Sequence, residues 1–129
     1  MTDSTPRSAE LREAVEAGFP AAVADLTRLV RIPSVSWDGF DHAEVQRSAE
    51  AVADLARETG VFESIEIVRT PIPGKAEDGL PAVLATRAAR NGRPTVLLYA
   101  HHDVQPPGED ADWETKPYEP TLKLSLIHI

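Results

Sequence analysis

Thr95-Val96-Leu97-Leu98-Tyr99-Ala100-His101-His102-Asp103-Val104-Gln105-Pro106-Pro107 joins an apolar run to two histidines, an aspartate and a double proline. An apolar run of this length, with Pro94 before it and prolines after it, reads as a buried β-strand over 95–100. Side chains alternate along a strand, so His101 and Asp103 leave its end on the same face and His102 on the other. A histidine beside a carboxylate at the edge of a buried sheet suits a metal site. One ring nitrogen binds the ion while the carboxylate holds the N–H of the other, fixing the tautomer and the ring angle. The triplet by itself is a weak signal, more often a solvated loop histidine next to a turn-forming aspartate.

Upstream, the chain reads as two helices and two strands. A helical segment starts near Pro6 to Ser8, with Leu11 and Val15 on one face, and is interrupted at Gly18-Phe19-Pro20. Proline removes a helix hydrogen bond but suits the first turn of a restart. From there Val23, Leu26, Leu29 and Val30 make an apolar stripe, and Pro33 stops the helix. Asp41 caps a second helix with Glu44 three residues on, as in a capping box, and Gly60 ends it. Its expected buried face is Val45, Ala49, Val52 and Leu55, with His42 turned to solvent and Trp37 covering the core.

Residues 62–70 alternate around Ile65 and Ile67 as a half-buried strand, and Pro81 to Arg87 form a second. Asn91-Gly92 supplies turn chemistry for a hairpin from that strand into Thr95–Ala100. The order helix, helix, strand, strand, strand makes the fold class α/β, the start of a mixed sheet domain. Ligands in open α/β sheets bind beyond the carboxyl ends of strands, where His101 and Asp103 fall.

Composition narrows the function. The 129 residues carry a net charge of −8, which argues against a nucleic-acid partner. Without cysteine there are no disulfides or thiolate ligands, so a metal site must use histidine and carboxylates. Met1 to Arg12 lacks the apolar core of a signal peptide, and no run is long enough to span a bilayer. A cytoplasmic protein is the expectation.

His101-x-Asp103-Val104-Gln105-Pro106-Pro107, then Trp113, then Pro117-Tyr118-Glu119-Pro120-Thr121, together resemble the M20 family of metallopeptidases. The Gln-Pro-Pro ending looks most like its dipeptidase, carnosinase-like branch. The earlier Leu29-Val30-Arg31-Ile32-Pro33-Ser34-Val35-Ser36 is similar to the family's L-x-x-I-P-S-x-S segment. One departure is Ala100, where the family usually has glycine.

The resemblance implies a zinc-peptidase α/β/α catalytic domain of which residues 1–123 are the N-terminal part. It implies His101 as a ligand to one of two Zn²⁺ ions, with Mn²⁺ or Co²⁺ as substitutes, and Asp103 as the active-site carboxylate orienting His101. It implies hydrolysis of dipeptides or small peptides, and a homodimer only for a full-length protein. His102 is then a pocket-wall or packing residue. Aromatic packing is expected for Trp113 and Tyr118, while Glu119 is either a solvated charge or a substrate contact.

Competing readings are aminoacylase or desuccinylase chemistry on the same kind of site, and a non-catalytic truncated fragment. An HD phosphohydrolase would place the His102-Asp103 doublet on a helix, and amidohydrolase barrels use His-x-His where this chain has Asp103. Residues 124–129, Leu-Ser-Leu-Ile-His-Ile, match the translation of a transposon-end adapter used in sequencing libraries. They read as a scar, which excludes His128 as a ligand. The remaining ligands and the general base are then expected beyond residue 123, and the fragment by itself is expected to be inactive.

Overall fold

Helix α2, His42–Glu58, organises the fold, and the sequence marks its start clearly. Asp41 takes an extended backbone and its carboxylate accepts the Ala43 N–H at 2.9 Å, satisfying an otherwise unpaired donor of the first turn. The reciprocal half of the expected capping box is replaced. Glu44 instead pairs with Arg47 one turn along, at 2.6 Å. The computed structural model describes residues 5–122 of the chain.

Val45, Ser48, Ala49 and Ala53 are the buried residues of α2, with Val45, Ala49 and Ala53 four apart along one face. Val52 and Leu55 lie half-buried at its margin. That face lies against a two-stranded antiparallel sheet of β1, Ser64–Val68, and β2, Ala82–Thr86. Register runs from Ser64 opposite Thr86 to Val68 opposite Ala82. Ile32 and Val35, from the segment before α2, complete the small core.

Helix α1, Thr5–Val30, runs unbroken through Pro20, so the expected interruption at Gly18-Phe19-Pro20 does not occur. Residues 7–22 are exposed on every side, and water can satisfy the carbonyl that Pro20 leaves without a helix partner. Only from Val23 onward do half-buried positions appear. Near its end Arg28 bridges to Glu58 of α2 at 3.7 Å, across a shallow hollow of about 300 Å³ between the helices.

The third expected strand is the main correction. Among the described residues, Thr95–Ala100 pairs with nothing, and Val96, Leu97, Leu98 and Tyr99 are 72–89% exposed. The hairpin instead joins β1 to β2. The turn chemistry at Asn91-Gly92 is nevertheless present. Both residues have positive φ (56° and 67°) and Arg93 N–H donates to Arg90 C=O at 3.1 Å, a primed hairpin turn without its ladder. Glu63 explains where the chain goes. Its N–H donates to Thr86 C=O, while its carboxylate takes the Ala88 N–H and the Arg90 guanidinium, tying residues 86–90 beside the start of β1. A strand gains its ladder energy only against a neighbour, and nothing described lies along 95–100. Trp37 is a second correction. Expected over the core, it is 57% exposed on the loop before α2.

Two helices and an antiparallel strand pair thus make a small α/β unit, with α2 packed on the sheet and α1 against α2. Residues 124–129, read above as an adapter scar, lie outside the described part, as does Lys123.

Candidate functional site

Two sequence motifs, 65 residues apart, meet at one junction. The first is Ile32-Pro33-Ser34-Val35-Ser36, where Ile32 N–H donates to Leu29 C=O at 3.0 Å as α1 ends. Two tight turns follow, Ser34 N–H to Ile32 C=O and Val35 N–H to Pro33 C=O, each 2.8 Å. Val35 is 1% exposed, and its side chain is part of the core. Ser34 and Ser36, one residue to either side, both reach the other motif.

That other motif is His101-His102-Asp103-Val104. Val35 and Val104 form a parallel bridge, with Val104 N–H donating to Ser34 C=O at 3.0 Å. The His102 carbonyl accepts two hydroxyls, Ser34 Oγ at 3.0 Å and Ser48 Oγ of α2 at 2.8 Å. Both serines are 2% exposed, so these bonds satisfy polar groups that burial would otherwise penalise. The His102 ring is half-buried, its Nδ1 3.2 Å from Ser48 Oγ and its Nε2 donating to Pro81 C=O at 3.1 Å. His102 therefore ties the motif to α2 and to the entry of β2.

His101 faces the other way, with its side chain 74% exposed. Its Nδ1 lies 3.0 Å from the Asp103 carbonyl and 3.3 Å from Asp103 Oδ1. Both oxygens are acceptors, so the bracketed nitrogen carries a proton, and Nε2 lies on the outward side of the ring. Asp103 Oδ2 accepts from Ser36 Oγ at 2.6 Å. The Ser36 hydroxyl is the largest cause holding the Asp103 carboxyl below its ordinary range; bonding to its own backbone amide and to His101 adds to this against partial burial. The site therefore keeps an ionised carboxylate on the protonated side of the imidazole.

No group of three or more His, Asp or Glu side chains converges in a metal-holding arrangement among the described residues. His101 offers one ligand atom with its tautomer set, where a zinc site needs three or four protein ligands. His42 plays no part here, its Nε2 lying 3.2 Å from the Trp37 carbonyl.

Downstream, Trp113 is 45% exposed, and its indole N–H donates to Pro107 C=O at 2.7 Å, bracing the loop after the double proline. Tyr118 is half-buried with a positive φ of 63°, and burial raises its phenol above the ordinary value. Glu119 pairs with Lys116 at 3.7 Å, both side chains well exposed, as a solvated charge would be.

Ser34, Ser36 and Ser48 are the site residues for which sequence reasoning named no role. Ser48 had a legible signal, a hydroxyl in the apolar stripe between Val45 and Ala53. Ser34 and Ser36 belong to the Ile32-Pro33-Ser34-Val35-Ser36 segment, but nothing in the sequence shows that they face His102 and Asp103.

No protein-family model matches the chain. It is similar to the Cys-Gly metallodipeptidase DUG1 of Saccharomyces cerevisiae, 30% identical over 105 residues, covering 78% of this chain and 22% of that protein. The Candida albicans protein of the same name is 30% identical over 113 residues, 84% of this chain and 23% of its own. The Schizosaccharomyces pombe protein is 31% identical over 114 residues, 88% and 24%. The fold is similar to a solved structure of the S. cerevisiae di-peptidase Dug1p, with a TM-score of 0.72 and 26% identity, covering 86% of this chain and 24% of that one. The chain spans about a quarter of the length of the curated relatives it matches.

Proposed function

We propose, from the homology of this chain to Cys-Gly metallodipeptidases of the M20 family, that the protein it belongs to hydrolyses the peptide bond of dipeptides or small peptides with metal ions. The observation that carries the residue-level reading is the bracketing of His101 Nδ1 by the carbonyl and carboxylate of Asp103, which leaves Nε2 open. His101 would hold one of two ions through Nε2, Zn²⁺ first and Mn²⁺ or Co²⁺ as substitutes. Asp103 would keep the proton on Nδ1 and hold the ring in plane, making the imidazole a better ligand. When bound, such ions polarise a scissile carbonyl and bring the pKa of a bound water toward about 7. His102 fixes the backbone between the two residues by its bonds to α2 and Pro81.

The wider expectations follow the same reading: a zinc-peptidase α/β/α catalytic domain, and a cytoplasmic enzyme. No helix among the described residues is long and apolar enough to cross a membrane. The names of the relatives point to a dipeptide, which favours that substrate over the acyl-amino acids of aminoacylases and desuccinylases. The test is to assay the complete protein on Cys-Gly and on acylated amino acids, with metal and after chelation. Metal-dependent cleavage of Cys-Gly that His101→Ala abolishes is the expected result. Full activity in His101→Ala would remove His101 from the site, and cleavage of acyl-amino acids alone would replace the dipeptidase reading.

A further inference from the structure

We infer that Ser36 is a positioning residue for this site: its hydroxyl fixes the Asp103 carboxylate so that the proton of His101 stays on Nδ1 and Nε2 stays free to ligate. The inference deepens the metallohydrolase reading and rests on it for its purpose, though the geometry stands without a metal.

A carboxylate has two oxygens, and here they are divided between two partners. Oδ2 takes the Ser36 hydroxyl at 2.6 Å, and Oδ1 faces His101 Nδ1 at 3.3 Å. The short distance to Ser36 is that of a hydroxyl donating to a charged acceptor, which is stronger than a neutral pair. The Asp103 side chain is 37% exposed, so without that bond it can turn toward water, and Oδ1 then leaves the imidazole.

Ser36 itself has little freedom of placement. Val35, one residue before it, is buried and bridged to Val104, one residue after Asp103. The bonds of Ser34 to His102 C=O and to Val104 N–H fix the same two segments from the other side. A one-residue slip between them would aim Val35 at Asp103 in place of a hydroxyl. The serine is therefore delivered to the carboxylate by backbone pairing, not by a flexible reach. The Asp103 carbonyl at 3.0 Å still holds Nδ1 after Ser36 is truncated, so the change of tautomer is partial.

The test reads the imidazole directly by long-range ¹H–¹⁵N correlation on the 129-residue chain, ¹⁵N-labelled at histidine, without metal and at alkaline pH. Wild type should show Nδ1–H with a lone pair on Nε2. Ser36→Ala should move His101 measurably toward the Nε2–H form while the His102 pattern stays. Ser36→Thr, which keeps the hydroxyl, should restore the wild-type pattern. Ser36→Cys, close in shape with a much weaker donor, gives the same reading as alanine should Ser36→Ala fail to fold. An unchanged His101 pattern in whichever of Ser36→Ala and Ser36→Cys folds, or Nε2–H already dominant in wild type, would overturn the inference. A complete protein that neither binds zinc nor cleaves dipeptides, in which the tautomer still follows the Ser36 hydroxyl, would refute the hydrolase reading and leave this assignment standing.

Discussion

His102–Val104, joined to Ser34–Ser36, and the run Val96–Tyr99 are neighbours in sequence and opposites in structure. The junction has a bridge, a backbone hydrogen bond, three serine hydroxyls and a core valine holding it. The run, more apolar and the better strand former, is 72–89% exposed and pairs with nothing described. Hydrophobicity alone did not decide which became ordered by contacts. Hydrogen-bond partners within reach did, because a strand without a neighbour gains no ladder and buries no face. The His102–Val104 half of the motif is anchored independently of the half that resembles a strand.

Substitutions can break that comparison, and the largest effect should fall on the junction. Val35→Ala removes two methyl groups from a fully packed position and should cost about 2 kcal/mol in urea unfolding of the chain. A change below about 0.5 kcal/mol would mean the junction is not part of the folding unit. Next, Asp103→Asn keeps the shape but removes the charge beside His101. In the complete protein it should weaken metal affinity or activity by about 10–100-fold, measured by competition with a chelator and by dipeptide turnover. Wild-type values in both would show that Asp103 does not orient the ligand.

On the other side, Leu97→Lys should leave the stability of the 129-residue chain within about 0.5 kcal/mol, since it changes an exposed side chain. A loss above about 1 kcal/mol would show that the run is buried in solution and that the contrast is false. The smallest effect concerns pH. The Asp103 carboxyl is depressed in the folded chain, with Ser36 the leading cause. Its contribution to stability is thus fully present above the unfolded carboxyl value and fades as pH falls through the lower folded one. The Asp103 titration followed by NMR should move upward in Ser36→Ala; a midpoint that stays put would assign the depression elsewhere.

What the sequence revealed follows the same division. Both helices, the Asp41 cap, and strands at 64–68 and 82–86 were legible, because caps, helical spacing and alternation are local signals. The third strand was misread because its existence depends on a neighbour, which no local pattern encodes. The break at Pro20 was misread because an exposed helix tolerates a proline that a packed one would not. At the site, His101 and Asp103 do stand side by side, at 3.3 Å, although the strand alternation behind that expectation is absent from 95–103. Ser34 and Ser36, which bond His102 and Asp103, carried no such local signal, since a hydroxyl acquires its role only when two distant segments meet.

The most direct test of the central claim follows the ring nitrogens of His101 in the ¹⁵N-histidine-labelled complete protein during zinc titration. Stoichiometric zinc should shift His101 Nε2 strongly while Nδ1 keeps its proton. Coordination through Nδ1, or His101 resonances that zinc leaves unmoved, would contradict the assignment of His101 as a ligand oriented by Asp103.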